Sequence, residues 1–513
     1  MNIKKIITEN WTLILYFLIA IFAVLPFFSS GFFQVHDDVQ VARVYELAKS
    51  LSLGAFPIRW VPDLGYGAGY PLFNFYSVLP YYIGGVVTFF GLNVLVATKF
   101  VFILGIIASG VSMYFLTKAF FGKTPALVAA VVYLYFPYHA VNIYVRGDLA
   151  EVFAYIFLPL VFLSLFKIHT LDKVSKGYIV LGTLSLTAVI ISHNLSAFML
   201  FIFVAVFILL SLAFSKNRKA LIVSYFSILL IAFLLSAFYS VPAALESKYT
   251  NVASLVGGGS KFGDHFVCIQ QLWDSPWGFG GSAPGCLDGI SFKLGKSNII
   301  FAILGILAVV LTFKNLKEKK FIILCSIGFL VFSIFMTLQY SSLLWSLPYM
   351  DFLQFPWRFL NFIGLFVSLI IGFLVWAVSD MSSKRAEIIV SVLIIITTLV
   401  FNGKLFAPQK IIMRDSSYYT NSKYLEWKAS RISDEYMPKN FVTPKNPSEV
   451  ASSLHAIMPD SFYIEIPKGE SFRFSFAQTP IEEAANVLTI IGVVAIALVI
   501  IGKPKLLYDK KTS

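Results

Sequence analysis

Ser196 to Phe214 reads SAFMLFIFVAVFILLSLAF, a run without one charge, and the chain leaves it through Ser215, Lys216, Asn217, Arg218 and Lys219. At 1.5 Å per residue such a helix covers about 28 Å, close to the ~30 Å of a bilayer's hydrocarbon layer. A basic cluster directly after a span marks the cytoplasmic side. The stretch therefore reads as a transmembrane helix that ends inside the cell.

The same pattern repeats along the chain. Comparable windows lie at 11–29, 95–117, 124–140, 151–166, 177–192, 220–241, 298–313, 321–337, 359–379, 387–402 and 487–502. The expected fold is thus an all-α polytopic membrane protein of about 12 transmembrane helices. Composition agrees, because 58% of the 513 residues are hydrophobic and 13% are charged, against roughly 25% charged in soluble domains. The first window follows Lys4 and Lys5, as a signal peptide would, but its tail, Leu25-Pro26-Phe27-Phe28-Ser29, puts large aromatics where cleavage needs small residues. It reads as a retained helix. Tyr70 to Phe90 is apolar but broken by Pro71, Asn74, Pro80, Gly84 and Gly85, which suits an interfacial or re-entrant segment in the first outer loop.

Charge fixes the orientation. The alternate short loops and the two tails hold 20 of the 40 Lys and Arg against Glu9, Asp172, Glu318, Asp380, Glu387 and Asp509. That face carries +14 of a total of +13, so everything else nets about −1. Both termini are expected in the cytoplasm of a multi-pass plasma-membrane protein. The high pI reflects this topology, and no nucleic-acid partner is implied. Segments 31–93, 246–297, 338–358 and 404–486 then face out. The organisation expected is a transmembrane domain over 1–403, an extracytoplasmic module over 404–486, and a last helix with a basic tail over 487–513. Alternation in Ser461 to Ile466 and in Ser471 to Phe476 predicts a small β-rich module before the last helix.

Cys268 and Cys286 share one outer loop, and an oxidising compartment would join them as a disulfide. Free thiols are the alternative. His265 alone nearby makes no zinc site.

The chemistry must come from polar residues at the membrane surface. His36-Asp37-Asp38 follows the first helix, and an acid pair there is costly unless a cation, a metal or a substrate hydroxyl meets it. Capping of a helix from Val39 to Ser50 would also explain either Asp. Asp148 and Glu151 stand three apart in a short outer loop, where an acidic first helical turn is the plainer reading. His193 lies at a third outer junction. Arg358, beside Trp357 at a helix entrance, is placed to grip a phosphate or to snorkel to lipid headgroups.

A first helix, an acidic outer motif, Gly69-Tyr70-Pro71-Leu72-Phe73-Asn74-Phe75-Tyr76 and a second helix ending Leu116 to Gly122 resemble the C-type (GT-C) superfamily of polytopic glycosyltransferases. Pro57 to Asp63, Trp277 to Ser282, Ser291 to Gly295, Phe355 to Phe359 and Glu435-Tyr436-Met437-Pro438 carry a closer resemblance to bacterial membrane proteins related to 6-pyruvoyl-tetrahydropterin synthase. The soluble synthase itself is not implied, since it needs a His-rich zinc site and the 6 His here are scattered.

The superfamily resemblance implies transfer of a sugar from a polyprenyl-phosphate donor to a glycan, lipid or protein acceptor at the outer face, in cell-envelope assembly. Asp37 and Asp38 match the position of the acidic residue that acts there as general base or binds a metal that does. His36, Asp148, Glu151, His193 and Arg358 would bind substrate, and Asp38 with Asp148 would hold a divalent cation, Mg or Mn, if one is used. No firm Asp-x-Asp metal motif stands in the first outer loop, which leaves metal dependence open. A flippase- or polymerase-like transport component, or a non-catalytic scaffold of envelope polysaccharide assembly, is the alternative.

Overall fold

In hydrocarbon an apolar run can satisfy its backbone amides only as a helix, and helices account for most of the described residues. The computed structural model describes residues 3–255, 260–450, 456–457, 463–464 and 478–502. Its principal helices are α1 (Ile3–Val24), α2 (Gln40–Ser52), α3 (Leu79–Phe89), α4 (Val94–Phe121), α5 (Lys123–Leu134), α6 (Pro137–Val141), α7 (Leu149–Leu171), α8 (Lys176–Ser192), α9 (Asn194–Phe214), α10 (Arg218–Glu246), α11 (Lys296–Thr312), α12 (Lys319–Thr337), α13 (Leu360–Met381), α14 (Lys384–Asn402) and α15 (Pro480–Ile501). Polar residues mark the helix starts. Asn93, Asp148, His193, Asn217, Ser383 and Thr479 each accept a backbone N–H of the helix that follows, which satisfies a donor the first turn leaves open.

Nine stretches among the described residues are long and apolar enough to cross a membrane, or ten if α5 and the bent segment Pro137–Arg146 form one span. The count of twelve is not reproduced at this criterion. The twelve sequence windows all coincide with helices, but α8 and α11 have 17 residues each, short of the ~20 that a perpendicular span uses. The apolar stretch Tyr70–Phe90 becomes one helical turn followed by the 11-residue α3, too short to cross.

Burial orders the bundle. The best apolar window is 89% buried in α7 and 83% buried in the Pro356–Met381 stretch, against 11% in α15, so α7 and α13 form the centre and α15 faces lipid. Small residues let helices cross closely. A Cβ at Gly305 would lie 2.7 Å from the Ile370 side chain, and one at Gly492 would lie 2.8 Å from the Leu235 backbone.

The long loops gather at the end of the helices opposite the lysine-rich turns. Arg59 donates to Asn74 at 2.9 Å and to Asn486 at 3.0 Å, and Asn74 donates to Glu246 at 2.7 Å. One buried network thus ties the first loop to the end of α10 and the start of α15. The Cys268–Cys286 pair is a disulfide, Cα atoms 5.8 Å apart, closing a loop at the same end.

The β-rich module is not what the described part of 404–486 shows. Among these residues, strands are limited to β2 (Ile411–Ile412), which pairs antiparallel with β1 (Phe32–Phe33), and a two-residue pairing of β3 (Ala456–Ile457) with β4 (Tyr463–Ile464). Short helical turns between Ser416 and Ile432 pack on the first loop instead. They are held by Tyr66 N–H donating to Ser430 and by Tyr66 Oη donating to Asp434. Of the first alternating run only Tyr463 and Ile464 are described, in β4, and the second, Ser471 to Phe476, lies outside the described residues.

Candidate active site

Two sequence motifs more than a hundred residues apart are sewn together by backbone. His36 N–H donates to Val145 O at 3.0 Å, and Asp37 N–H donates to Arg146 O at 2.9 Å. The turn that permits this is Gly147. Its φ of +69° falls in the left-handed region, and a Cβ there would sit 2.6 Å from the Val35 side chain. Only glycine suits both demands.

Past that turn Asp148 caps α7 by accepting the Glu151 N–H at 3.0 Å. The plain helix-start reading therefore holds for Asp148, without exhausting its role. Arg146 forks across both acids, donating to Asp148 at 2.8 Å and to Glu151 at 2.5 Å. The other oxygen of Glu151 accepts from Tyr138 at 2.9 Å, from Asn142 at 3.2 Å and from Asn361. Glu151 is fully buried, one oxygen crowded by three donors and the other meeting only Arg146. Such a carboxylate is a fixed negative charge, held by partners on α6, α13 and the turn before α7.

Asp148, Glu151 and His193 each bring one ligand atom within 4.8 Å of the others. Two oxygens and an imidazole nitrogen are a donor set for a divalent cation, and the imidazole favours Mn over Mg. Burial keeps His193 below its ordinary pKa, so its ring is neutral and its nitrogen is able to donate a lone pair.

A cavity of about 480 Å³ opens beside this group, lined by His36, Asp37, Arg43, Arg146, Asp148, His193 and Arg358 among others. Burial, and then the charge of Asp148, push the Asp37 carboxyl above the usual carboxylate range. That makes Asp37 a stronger base than a free aspartate. Arg358, only 7% exposed, enters α13 from the preceding turn. Its Nε and Nη1 have no hydrogen-bond partner, and Nη2 reaches only Gln354 at 3.5 Å. Its guanidinium also lies 5.2 Å from the Phe355 ring centre, and a planar fork on a cavity wall is a geometry that suits an anionic oxygen.

The structure does not bring Asp38 to this cavity. Asp38 pairs with Arg414 at 3.0 Å and lines a second cavity of about 390 Å³ with Tyr418, Trp427 and Lys428. It therefore does not join Asp148 around one cation. Burial raises its pKa to about 6. Neither aspartate caps α2, whose N-cap is Val39, without a side-chain hydrogen bond. His36 lines the first cavity and bonds Phe279 O at 2.7 Å, in the disulfide-closed loop.

Residues that sequence reasoning missed complete the wall. Arg43 donates to Ser433 at 2.9 Å and lies 4.0 Å from the Tyr76 ring centre. Glu435, pushed up by burial, faces the same space. Arg146, two residues before Asp148, was the available signal for an internal counter-ion.

These features define a polytopic membrane protein with a charged, largely buried cavity at one end of its helical bundle. Residues 73–254 match the family model described as the 6-pyruvoyl-tetrahydropterin synthase related domain of membrane proteins. The matched segment holds Arg146, Asp148, Glu151 and His193. No curated protein matches the chain. Among solved structures the chain is similar to the Archaeoglobus fulgidus oligosaccharyltransferase. In its form tethered to an acceptor peptide containing the NVT sequon via a disulfide bond, the identity is 12% and the TM-score 0.46, over 95% of this chain and 64% of that one. In its complex with Zn and sulfate the values are 13% and 0.45, over 94% and 61%. The chain thus spans less than two thirds of the length of these relatives.

Proposed function

We propose that this protein is a membrane glycosyltransferase that moves a sugar from a polyprenyl-phosphate donor to a glycan, lipid or protein acceptor in cell-envelope assembly. Its cavity would face the outer side of the plasma membrane and its termini the cytoplasm. The observation that carries this reading is the pairing, in one cavity, of a buried arginine and an aspartate of raised basicity. Group transfer from a lipid phosphate needs those two things.

In the proposed reaction the acceptor hydroxyl gives its proton to Asp37 as its oxygen attacks the anomeric carbon. The bond from that carbon to the phosphate oxygen breaks, and the lipid phosphate leaves with the electron pair. Arg358 stabilises the charge that gathers on the departing phosphate, where a fixed donor in a water-poor site is worth most. Arg146 holds Asp148 and Glu151 in place and spreads their charge. Asp148, Glu151 and His193 would hold a divalent cation, which would supply Lewis-acid stabilisation of phosphate oxygens. Their buried O, O, N donor set beside the cavity supports that assignment.

The test is purified protein with a panel of radiolabelled polyprenyl-phosphate sugars, scored for release of lipid phosphate. Release by wild type and its loss in Asp37→Asn are expected. No release with any donor would move the assignment to a scaffold in envelope assembly.

A further inference from the structure

At the opposite end of the bundle lies a larger cavity of about 830 Å³ that the proposed chemistry does not use. It runs between α9 and α12. On α9 the wall is Ile202, Val206, Leu210 and Phe214, and on α12 it is Phe321, Leu324, Gly328 and Phe332. Both sets follow the three-to-four-residue repeat of one helix face. The cleft opens sideways, since Val206, Leu210, Phe214 and Leu324 are exposed among the described residues. At Gly328 a Cβ would meet nothing within 4 Å, so the space continues to the helix backbone.

Its length and its rim identify an occupant. Positions 202 to 214 and 320 to 332 each cover about 18 Å at 1.5 Å per residue. One leaflet of a ~30 Å hydrocarbon layer is about 15 Å deep. The cleft is therefore as long as one leaflet is thick. At the lysine-rich end it is bordered by Lys317, Lys320, Glu318 and His169, whose ring stacks on Phe321 at 3.8 Å. The apolar walls close toward the far end, where Phe203 and Phe332 meet at 5.6 Å and both rings approach Phe359.

We infer that this cleft holds one anionic phospholipid, its headgroup phosphate between Lys317 and Lys320 and an acyl chain along the α9–α12 groove. Basic residues at a span's end select anionic headgroups, and an apolar groove in hydrocarbon fills with chain rather than with water. The donor's own tail is a poorer fit. Its phosphate would sit at Arg358, at the other end of the helices, whereas the rim here presents Lys317 and Lys320 against a single acid, Glu318. The inference does not depend on the glycosyltransferase reading.

The experiment is native mass spectrometry of the full-length protein after exchange with phosphatidylglycerol, phosphatidylcholine or a polyprenyl phosphate. Wild type is expected to retain one phosphatidylglycerol at least about fivefold better than phosphatidylcholine. Gly328→Trp, which fills the groove, should abolish retention. The double variant Lys317→Ala with Lys320→Ala should keep a lipid but lose the preference. Gly328→Leu guards against misfolding of the larger variant and is expected to weaken retention at an unchanged melting temperature. Val493→Trp, on the exposed face of α15, should change nothing. Equal retention of the two lipids by wild type, or full retention in both Gly328 variants, would overturn the proposal. So would preferential retention of polyprenyl phosphate at this cleft, which would assign it to the donor tail.

Discussion

The Asp37 amide is hydrogen-bonded to the Arg146 carbonyl at 2.9 Å, while the Arg146 side chain grips Asp148 and Glu151. One residue thereby fixes both acidic motifs, the first through its backbone and the second through its guanidinium. The placement of the proposed base relative to the acidic group follows from this link. The two aspartates that adjoin in sequence part company here, Asp37 into the main cavity and Asp38 toward Arg414.

Asp37→Asn and Asp38→Asn should therefore differ. Asn keeps the size of Asp37 and removes the base, so sugar transfer is expected to fall at least about a hundredfold with melting temperature near wild type. Asp38→Asn should leave transfer within a few-fold of wild type, because the pair it loses is partly exposed and such pairs contribute about 1 kcal/mol or less. Equal losses in the two variants would place Asp38 in the chemistry.

The raised pKa of Asp37 sets the pH profile. The base works only when deprotonated, and burial favours its protonated form. Transfer should hence rise with pH through a midpoint above the usual carboxylate range, and the acid limb should be missing from the residual activity of Asp37→Asn. An acid limb in wild type at pH ~4, the ordinary carboxylate value, would contradict a buried base.

Glu151 is expected to matter for folding more than for turnover. It accepts from Arg146, Tyr138, Asn142 and Asn361 with no exposure at all. Glu151→Gln strips the charge that offsets Arg146 and should cost about 3–5 kcal/mol, as breaking a buried pair does. Thermal unfolding in detergent checks it. An unchanged melting temperature would mean that Asp148 alone compensates Arg146.

What could be read from the sequence divides along physical lines. The positions of the helices were legible, since a run such as Ser196–Phe214 has no alternative in hydrocarbon. The pairing of Cys268 with Cys286 followed from a shared loop. The separation of Asp37 from Asp38 was not legible, because it depends on Arg414, nearly four hundred residues away. The way residues 404–450 fold was not legible either, since the alternating runs that suggested strands lie beyond them. There Tyr66, Tyr70 and Arg43 of the first loop supply partners that favour turns packed onto them. His193 was visible as a junction residue, but its nearness to Asp148 and Glu151 needed the packing of α7 beside α8.

If Asp148, Glu151 and His193 hold a cation, binding it should stabilise the folded chain by mass action. Adding Mn to metal-stripped protein is expected to raise the melting temperature, more than Mg does, and His193→Ala should abolish the difference between the two metals. A melting temperature indifferent to Mn, with transfer persisting in EDTA, would leave Arg146 as the group's permanent counter-ion.

Arg358 joins stability and function with opposite signs. Its guanidinium is buried, two of its nitrogens lack partners, and Gln354 offers only a 3.5 Å contact. Burying a guanidinium costs desolvation that these contacts offset only in part, which destabilises the protein that carries it. Met has a similar reach and no charge, and replacing buried ions by well-packed apolar side chains is often stabilising by about 1–4 kcal/mol. Arg358→Met is accordingly expected to melt at a higher temperature than wild type while losing about 10²- to 10³-fold in sugar transfer, the scale of removing one transition-state donor. Arg358→Lys should restore part of the transfer, since it keeps the charge but not the fork. A structural arginine would behave the other way: Arg358→Met would melt lower, and its activity would fall only as far as the folded fraction does.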